Sequence, residues 1–298
     1  MRIAHGGFTS ADARRRYLAA YDELRALSPR PDVVHDVPTG FGTVRVFQHG
    51  PDDGAPVVLI HGFFLTSAMW WGQVAGLTGD FTVYSMDVLG QPGAGTQSRA
   101  MITPADSARC IDAVLEGLRL RDVHLVGHSY GGWLAIHTAA RMPGRLATVT
   151  LVDPASTVAR TSARFWRGLA LLLSRPRSAR AARAAAWIAG HPPPGSSVDE
   201  LAGLFVAGFA AFGPPARTPA VRFASDRLLR SVQIPVQVLL AGNTIHDSRK
   251  GLARMHSVVP DWRCQLWSNA SHALPAELPD EVNDSIRRFV TEHRCGTD

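Results

Sequence analysis

The chain has 298 residues, 46% hydrophobic and 19% charged, which suits an ordinary globular protein with room for one large core or a core plus a lid. Its net charge of +6 is nearly all arginine, Lys250 being the only lysine, and without an aromatic–basic stripe or a nucleic-acid motif it reads as solvated surface, not a nucleic-acid partner. No apolar signal core stands in the opening MRIAHGGFTS, and no run reaches the length of a membrane span, so neither secretion nor membrane insertion is expected.

Thr9 to Leu27 is the first predicted helix, with Ser10 as cap and Tyr17, Leu18, Tyr21, Leu24 and Leu27 at helical spacing; Pro29 and Pro31 end it. Val33–Val37 and Thr43–Gln48 are strands about the turn Pro38-Thr39-Gly40. Val57–Ile60 is a buried strand that ends at His61-Gly62-Phe63-Phe64, and Ala68–Leu77 is helical. Phe81–Met86 is the next strand and runs into Asp87 and a loop from Gly90 to Gly95. Thr103 caps a helix to Leu118, with Pro104 at its first position. Leu146–Val152 is a strand that stops at Asp153-Pro154. The last part alternates again: strand Val236–Leu240, helix Ser248–Ser257, strand Trp262–Trp267, helix Pro279–His293.

Strands that alternate with helices imply an α/β protein with a mostly parallel sheet flanked on both faces. The rhythm breaks between Ala155 and Ser225, a stretch rich in Ala, Leu and Arg with breaks at Pro192–Gly195 and Gly213–Pro215. It is expected to be an inserted helical lid, residues 155–225, on a core made of 1–154 and 226–298. Its arginines (160, 164, 167, 175, 177, 180, 183) flank Phe165, Trp166, Leu169 and Leu171–Leu173. Such a basic amphipathic run can lie on a membrane or bind an acidic substrate, but it reads first as a solvated face over an apolar seam. Cys110, Cys264 and Cys295 are scattered without metal spacing, as reduced thiols of a cytoplasmic protein would be.

The most informative stretch is Asp122–Trp133, DVHLVGHSYGGW. A short apolar run, then Gly127-His128-Ser129-Tyr130-Gly131, then Trp133, Leu134 and Ile136 at helical spacing make a strand, a sharp turn and a helix. This is the G-x-S-x-G nucleophile elbow in the context it requires. The turn strains the serine backbone, and side chains larger than glycine at 127 and 131 would strike the strand or the helix. Ser129 is therefore the candidate nucleophile, set near a helix amino end that favours developing negative charge.

On these residues, with His61-Gly62-Phe63, Asp87 and the Gly90–Gly95 loop, and Asn269-Ala270-Ser271-His272, the chain resembles the α/β-hydrolase fold family. The resemblance spans about residues 33–154 and 232–292 and implies the order nucleophile, acid, histidine. It implies that His272 is the general base for Ser129, and that the backbone amides of Phe63 and Tyr130 form the oxyanion hole. His128 is expected to pack under the elbow, and His61 to shape the oxyanion loop. Phe63, Phe64, Met69 and Trp70 are candidate walls of an acyl pocket, Met69 and Trp70 equally candidates for the core.

The acid has two candidates. The family's usual position falls at Asn243 or Ile245, and neither is a carboxylate. Asp153 ends the strand after the elbow helix, where some branches carry the acid, and is preferred. Asp247 is the alternative, with helix capping as its other role. The resemblance implies a serine hydrolase cleaving an ester, thioester or lactone of a small-molecule, apolar acyl substrate, moderately large given the long lid rich in Leu, Phe and Trp, with no metal or organic cofactor. Non-hydrolytic chemistry, hydrophobic ligand binding and C–C bond hydrolysis are the alternatives.

Overall fold

The computed structural model describes residues 7–213 and 218–294. Cys295 and the Pro214-Pro215 break lie outside them. Helix α1 (Ala11–Arg25) is capped by Ser10, whose hydroxyl accepts from the Ala13 amide at 3.0 Å, and it stops two residues short of Leu27, which stays exposed. The strands follow as β1 (Val33–Thr39), β2 (Gly42–His49) and β3 (Ala55–Ile60). A 3₁₀ turn at Ser67–Trp70 leads into α2 (Trp71–Leu77), then β4 (Phe81–Met86) and the two-residue β5 (Thr96–Gln97). Helix α3 (Pro104–Gly117) starts with the expected Thr103 cap, here a full capping box with Asp106. The elbow joins β6 (Val123–His128) to α4 (Tyr130–Ala139), and β7 (Leu146–Val152) follows.

Between β7 and the next strand the chain leaves the sheet for α5 (Ala163–Ser174), α6 (Ala179–Ile188) and α7 (Ser197–Ala211). Each begins at a serine cap, Ser162, Ser178 and Ser196, whose hydroxyls accept from the amides of Phe165, Ala181 and Asp199. The ends of this insertion sit on the sheet layers: Val158 is fully buried, and the Trp133 indole donates to the Arg222 carbonyl at 2.8 Å. The chain then closes with α8 (Asp226–Arg230), β8 (Val236–Asn243), α9 (Ser248–Val258), β9 (Arg263–Ser271), α10 (Leu274–Glu277) and α11 (Pro279–Glu292). The shortest elements, β5, α8 and α10, carry too little periodicity to read from the sequence.

The sheet order is β1-β2-β4-β3-β6-β7-β8-β9, with β5 on β2. Pairing is antiparallel at β1–β2–β4 and parallel from β4 to β9. Alternate residues point to opposite faces, so β3 divides its side chains between two cores. Val58 and Ile60 pack with α3, α4 and α9 residues such as Ile111, Trp133 and Met255. Val57 and Leu59 pack with Tyr21, Val74 and Ile286 of α1, α2 and α11. Coverage on both faces explains why Val57–Ile60 of β3 reads as an unbroken apolar run and why β6 and β7 are buried along nearly their whole length.

The sequence reading ends the last strand at Trp267, but β9 continues to Ser271 because Asn243 pairs with Ser271 beyond a bulge. At that bulge Gly242 lies against the Ser268 backbone, where a Cβ would not fit. The extension carries β9 to the residue beside His272.

Candidate active site

Ser129 sits between β6 and α4 with φ 52° and ψ −113°, a strained conformation for a residue with a side chain. It is held there by three backbone bonds. Its N–H donates to the Val152 carbonyl at 3.0 Å, and its carbonyl accepts from Trp133 at 3.1 Å and Ala155 at 3.0 Å. A Cβ on Gly131 would enter the Ile60 carbonyl, and one on Gly127 would enter the Gly131 backbone. The turn thus excludes larger residues on both sides of the serine.

His272 stands over it. His272 Nε2 is 2.9 Å from Ser129 Oγ, and Nδ1 is 2.5 Å from Asp153 Oδ2. Asp153 ends β7 with φ 43°, and its own amide donates to the Leu239 carbonyl at 2.7 Å. Its carboxylate is fully buried and collects donors. The Ala241 amide donates to Oδ1 at 3.2 Å, and the Thr244 hydroxyl donates to Oδ2. Burial pushes this carboxyl up, but His246, His272 and the Thr244 hydroxyl outweigh it, and its pKa is lowered to about 2. An ionised carboxylate only accepts, so Nδ1 of His272 carries the proton and Nε2 is free to accept the serine O–H.

Two further histidines hold this arrangement. His128 Nε2–H donates to the His272 carbonyl at 2.8 Å, and burial first, then His272, lowers its pKa to about 3. It is therefore neutral beneath the elbow. His61 donates from Nδ1 to the Gly62 carbonyl at 2.8 Å and accepts on Nε2 from the Val88 amide at 2.9 Å. That bond ties the turn after β3 to the turn after β4. The Gln91 side chain adds a tie by accepting from the Phe64 amide at 2.6 Å.

These ties leave two amides free. Among the described residues, neither the Phe63 nor the Tyr130 N–H donates a hydrogen bond within the protein. Tyr130 opens α4, and Phe63 follows Gly62, whose Cα faces Ser129 so closely that a Cβ there would lie 3.4 Å from the Ser129 Cβ.

Of the two candidate acids, the structure brings Asp153 to His272 and leaves Asp247 away. Asp247 is exposed and caps α9, accepting from the Lys250 amide at 3.1 Å. Thr244 and His246 are site residues that the sequence reading did not single out. Thr244 lies between the positions where the family's acid is expected, and its hydroxyl contacts both Asp153 and His272 Nδ1, the latter at 3.2 Å. His246 is buried with Nε2 3.5 Å from Asp153 Oδ1, and burial holds its pKa below the usual histidine range. A hydroxyl and an imidazole one to three residues before Asp247 are the only sequence signal for them.

A pocket opens over Ser129. Phe63, Leu65 and Met69 line one side, Phe165, Ile188, Leu201 and Phe205 of the inserted helices the other, and His272 the floor. Phe64 and Trp70 are not in its wall. Phe64 stacks on Phe209 with ring centres 4.2 Å apart, and Trp70 is fully buried edge-on to His128. Among the described residues, no group of three or more His, Cys, Asp or Glu gathers as a metal site would require.

The family model described as "Alpha/beta hydrolase family" matches residues 57–285, the span that holds the elbow, Asp153 and His272. The chain belongs to the alpha/beta hydrolase family. It is 27% identical to "Carboxylesterase YbfK" of Bacillus subtilis over 97% of both chains. It is 28% identical to "Uncharacterized carboxylesterase nap" of the same organism over 92% of each. Among solved structures, naproxen esterase (carboxylesterase NP) from Bacillus subtilis superposes with a TM-score of 0.85 at 27% identity, over 94% of this chain and 99% of that one.

Proposed function

We propose that the protein is a serine carboxylesterase in which Ser129, His272 and Asp153 act as nucleophile, general base and orienting acid. The unbroken hydrogen-bonded chain from Ser129 Oγ through the imidazole to a buried, ionised Asp153 carries this reading. His272 Nε2 takes the hydroxyl proton as Oγ adds to the ester carbonyl. The resulting imidazolium is stabilised by Asp153, and the oxyanion turns to the free amides of Phe63 and Tyr130, each such donor being worth about 10²–10³ in rate. The imidazolium then protonates the departing alkoxide, leaving an acyl-enzyme on Ser129. A water deprotonated by His272 adds to the acyl carbon, and collapse releases the acid and restores Oγ–H. The route uses no metal or organic cofactor.

The relatives named as carboxylesterases over nearly the full chain support the same reaction. The pocket wall is apolar, so the substrate is a small-molecule ester with an uncharged, apolar acyl group. Residues 155–225 act as the cap that selects it. Cys110 and Cys264 are free thiols, and burial raises both pKa values to about 11, which suits inert thiols in the cytoplasm. Among the described residues, no helix is long and apolar enough to cross a membrane. The non-hydrolytic readings draw on a doubtful acid, and the contact of Asp153 with His272 weighs against them.

Labelling with a fluorophosphonate tests the proposal. The wild type should label, Ser129→Ala should not, and His272→Ala should label weakly. A folded wild type that fails to label would refute the esterase reading.

A further inference from the structure

The charge of this protein is not spread evenly. Residues 155–225 carry nine arginines against two acidic residues, a formal charge of +7, whereas the rest of the chain has 22 basic and 23 acidic residues and sums to −1. The asymmetry is sharpest in α5, α6 and the turn between them. Residues 163–188 contain six arginines and no Asp or Glu.

Elsewhere arginines find carboxylates, as in Arg45–Asp36, Arg254–Asp226, Arg263–Glu292 and Arg287–Asp80. Among the described residues, none of Arg164, Arg167, Arg175, Arg177, Arg180 and Arg183 makes an ion pair, and all are exposed. Arg164 instead covers the Trp187 ring at 4.1 Å.

The same helix pair exposes an apolar stripe. On α5, Phe165, Leu169 and Leu172 turn inward, while Trp166, Ala170 and Leu173 turn outward at i, i+4 and i+7. Trp166 is 41% and Leu173 46% exposed, two of the few large hydrophobic side chains left open to water. A tryptophan and a leucine two turns apart on one helix face, among unpaired arginines, match an anionic surface with an apolar interior beneath it. A nucleic acid would satisfy the arginines but would leave Leu173 and Ala170 without a partner.

We propose that the outer face of α5 and α6 docks on an anionic phospholipid surface, with the arginines on headgroup phosphates and Trp166 and Leu173 inserted between them. The inner face of these helices lines the pocket through Phe165, Ala185 and Ile188, so docking would hold the pocket's roof at the lipid boundary where apolar esters concentrate. The binding itself does not depend on the esterase reading.

The test is flotation of the full chain with vesicles of phosphatidylcholine, with and without phosphatidylglycerol, at low and physiological salt. Three chains are compared: wild type, a combined Arg175→Gln, Arg177→Gln, Arg180→Gln, Arg183→Gln variant, and a Trp166→Ser, Leu173→Ser pair. Circular dichroism and Tm confirm that each is folded. Wild type should bind the anionic vesicles at least about tenfold better than neutral ones, and less well as salt rises. The arginine variant should lose about a hundredfold or more, from roughly fivefold per residue near the surface. The Trp166, Leu173 pair should lose about tenfold. Equal partitioning to neutral vesicles, no binding at low salt, or full binding by the arginine variant would overturn the proposal. So would tighter binding to duplex DNA that ignores the Trp166, Leu173 pair, which would make this a nucleic-acid surface.

Discussion

Asp153→Asn keeps the volume of the side chain and changes only what it can accept. Asp153 meets donors on both oxygens: the Ala241 amide on Oδ1, and His272 Nδ1–H and the Thr244 hydroxyl on Oδ2. An asparagine offers one acceptor oxygen and one NH₂, so one set of donors faces another donor. The Ala241 amide cannot move its proton, and the Thr244 hydroxyl can rotate, but the imidazole can switch tautomer. The carboxamide oxygen will therefore stay with Ala241, the NH₂ will face Nδ1, and the proton of His272 will shift to Nε2. From that tautomer it cannot take the Ser129 proton. A triad held in the wrong tautomer loses about 10⁴ in kcat, a barrier increase of about 5 kcal/mol. KM should change little, because Asp153 is not in the pocket wall. The assay is kcat and KM on p-nitrophenyl butyrate, with Asp247→Asn beside it. Asparagine still caps a helix, so that variant should stay within about twofold of wild type. An Asp153→Asn enzyme keeping more than about a tenth of wild-type kcat, or a collapse in Asp247→Asn, would refute this account of the site.

Other outcomes follow from the same geometry. His246→Phe should lower kcat about tenfold with KM nearly unchanged, since it removes the imidazole 3.5 Å from Asp153 Oδ1 without touching the pocket; a KM effect of similar size would place His246 elsewhere in the mechanism. Ala202→Trp should fill the pocket between α7 and Ser129 and cut kcat/KM for p-nitrophenyl octanoate at least about tenfold more than for the acetate, and equal losses would contradict the assigned acyl wall. His124, His128 and His137 are buried with pKa values lowered to about 4, 3 and 4, so folding keeps them neutral while the unfolded chain protonates near pH 6.5. Their contribution is present above that pH and is lost as pH falls, so between pH 6 and 4 these three residues alone should add about three protons to the uptake on unfolding, with His49, His61 and His246, also lowered by burial, adding to it, and stability should drop with a limiting slope of at least about 4 kcal/mol per pH unit, measured by urea unfolding. Asp153, lowered to about 2, adds about 2 kcal/mol that is present above pH 4 and disappears toward pH 2; Asp153→Asn should lack that final loss.

Much of the frame was legible because its causes are local. Gly127, Ser129 and Gly131 announce the elbow since only that spacing lets a strand reverse into a helix around a strained serine, and the structure gives Ser129 φ 52°. Thr103, Pro104 and Ser10 announce helix starts because capping is settled within one turn. Apolar runs at Val57–Ile60 and Val123–Val126 announce strands buried on both faces. The acid was not legible in this way. Asp153 and Asp247 both follow parallel strands, and each residue's neighbours along the chain suit either role. Which one faces His272 depends on how β7, β8 and β9 lie side by side, with the Ala241 amide, Thr244 and His246 converging on Asp153 from β8 and its loop. The pocket is decided the same way: helical period turns Phe165, Ile188 and Phe205 inward, but nothing in the period says that they meet over Ser129. Backbone strain, caps and strand burial are set by residues a few positions apart, so the sequence alone determined them. His272 and its partner Asp153 are 119 residues apart, the pocket walls join Phe63 to Phe205, and proximity of that kind exists only once the sheet has set its strand order.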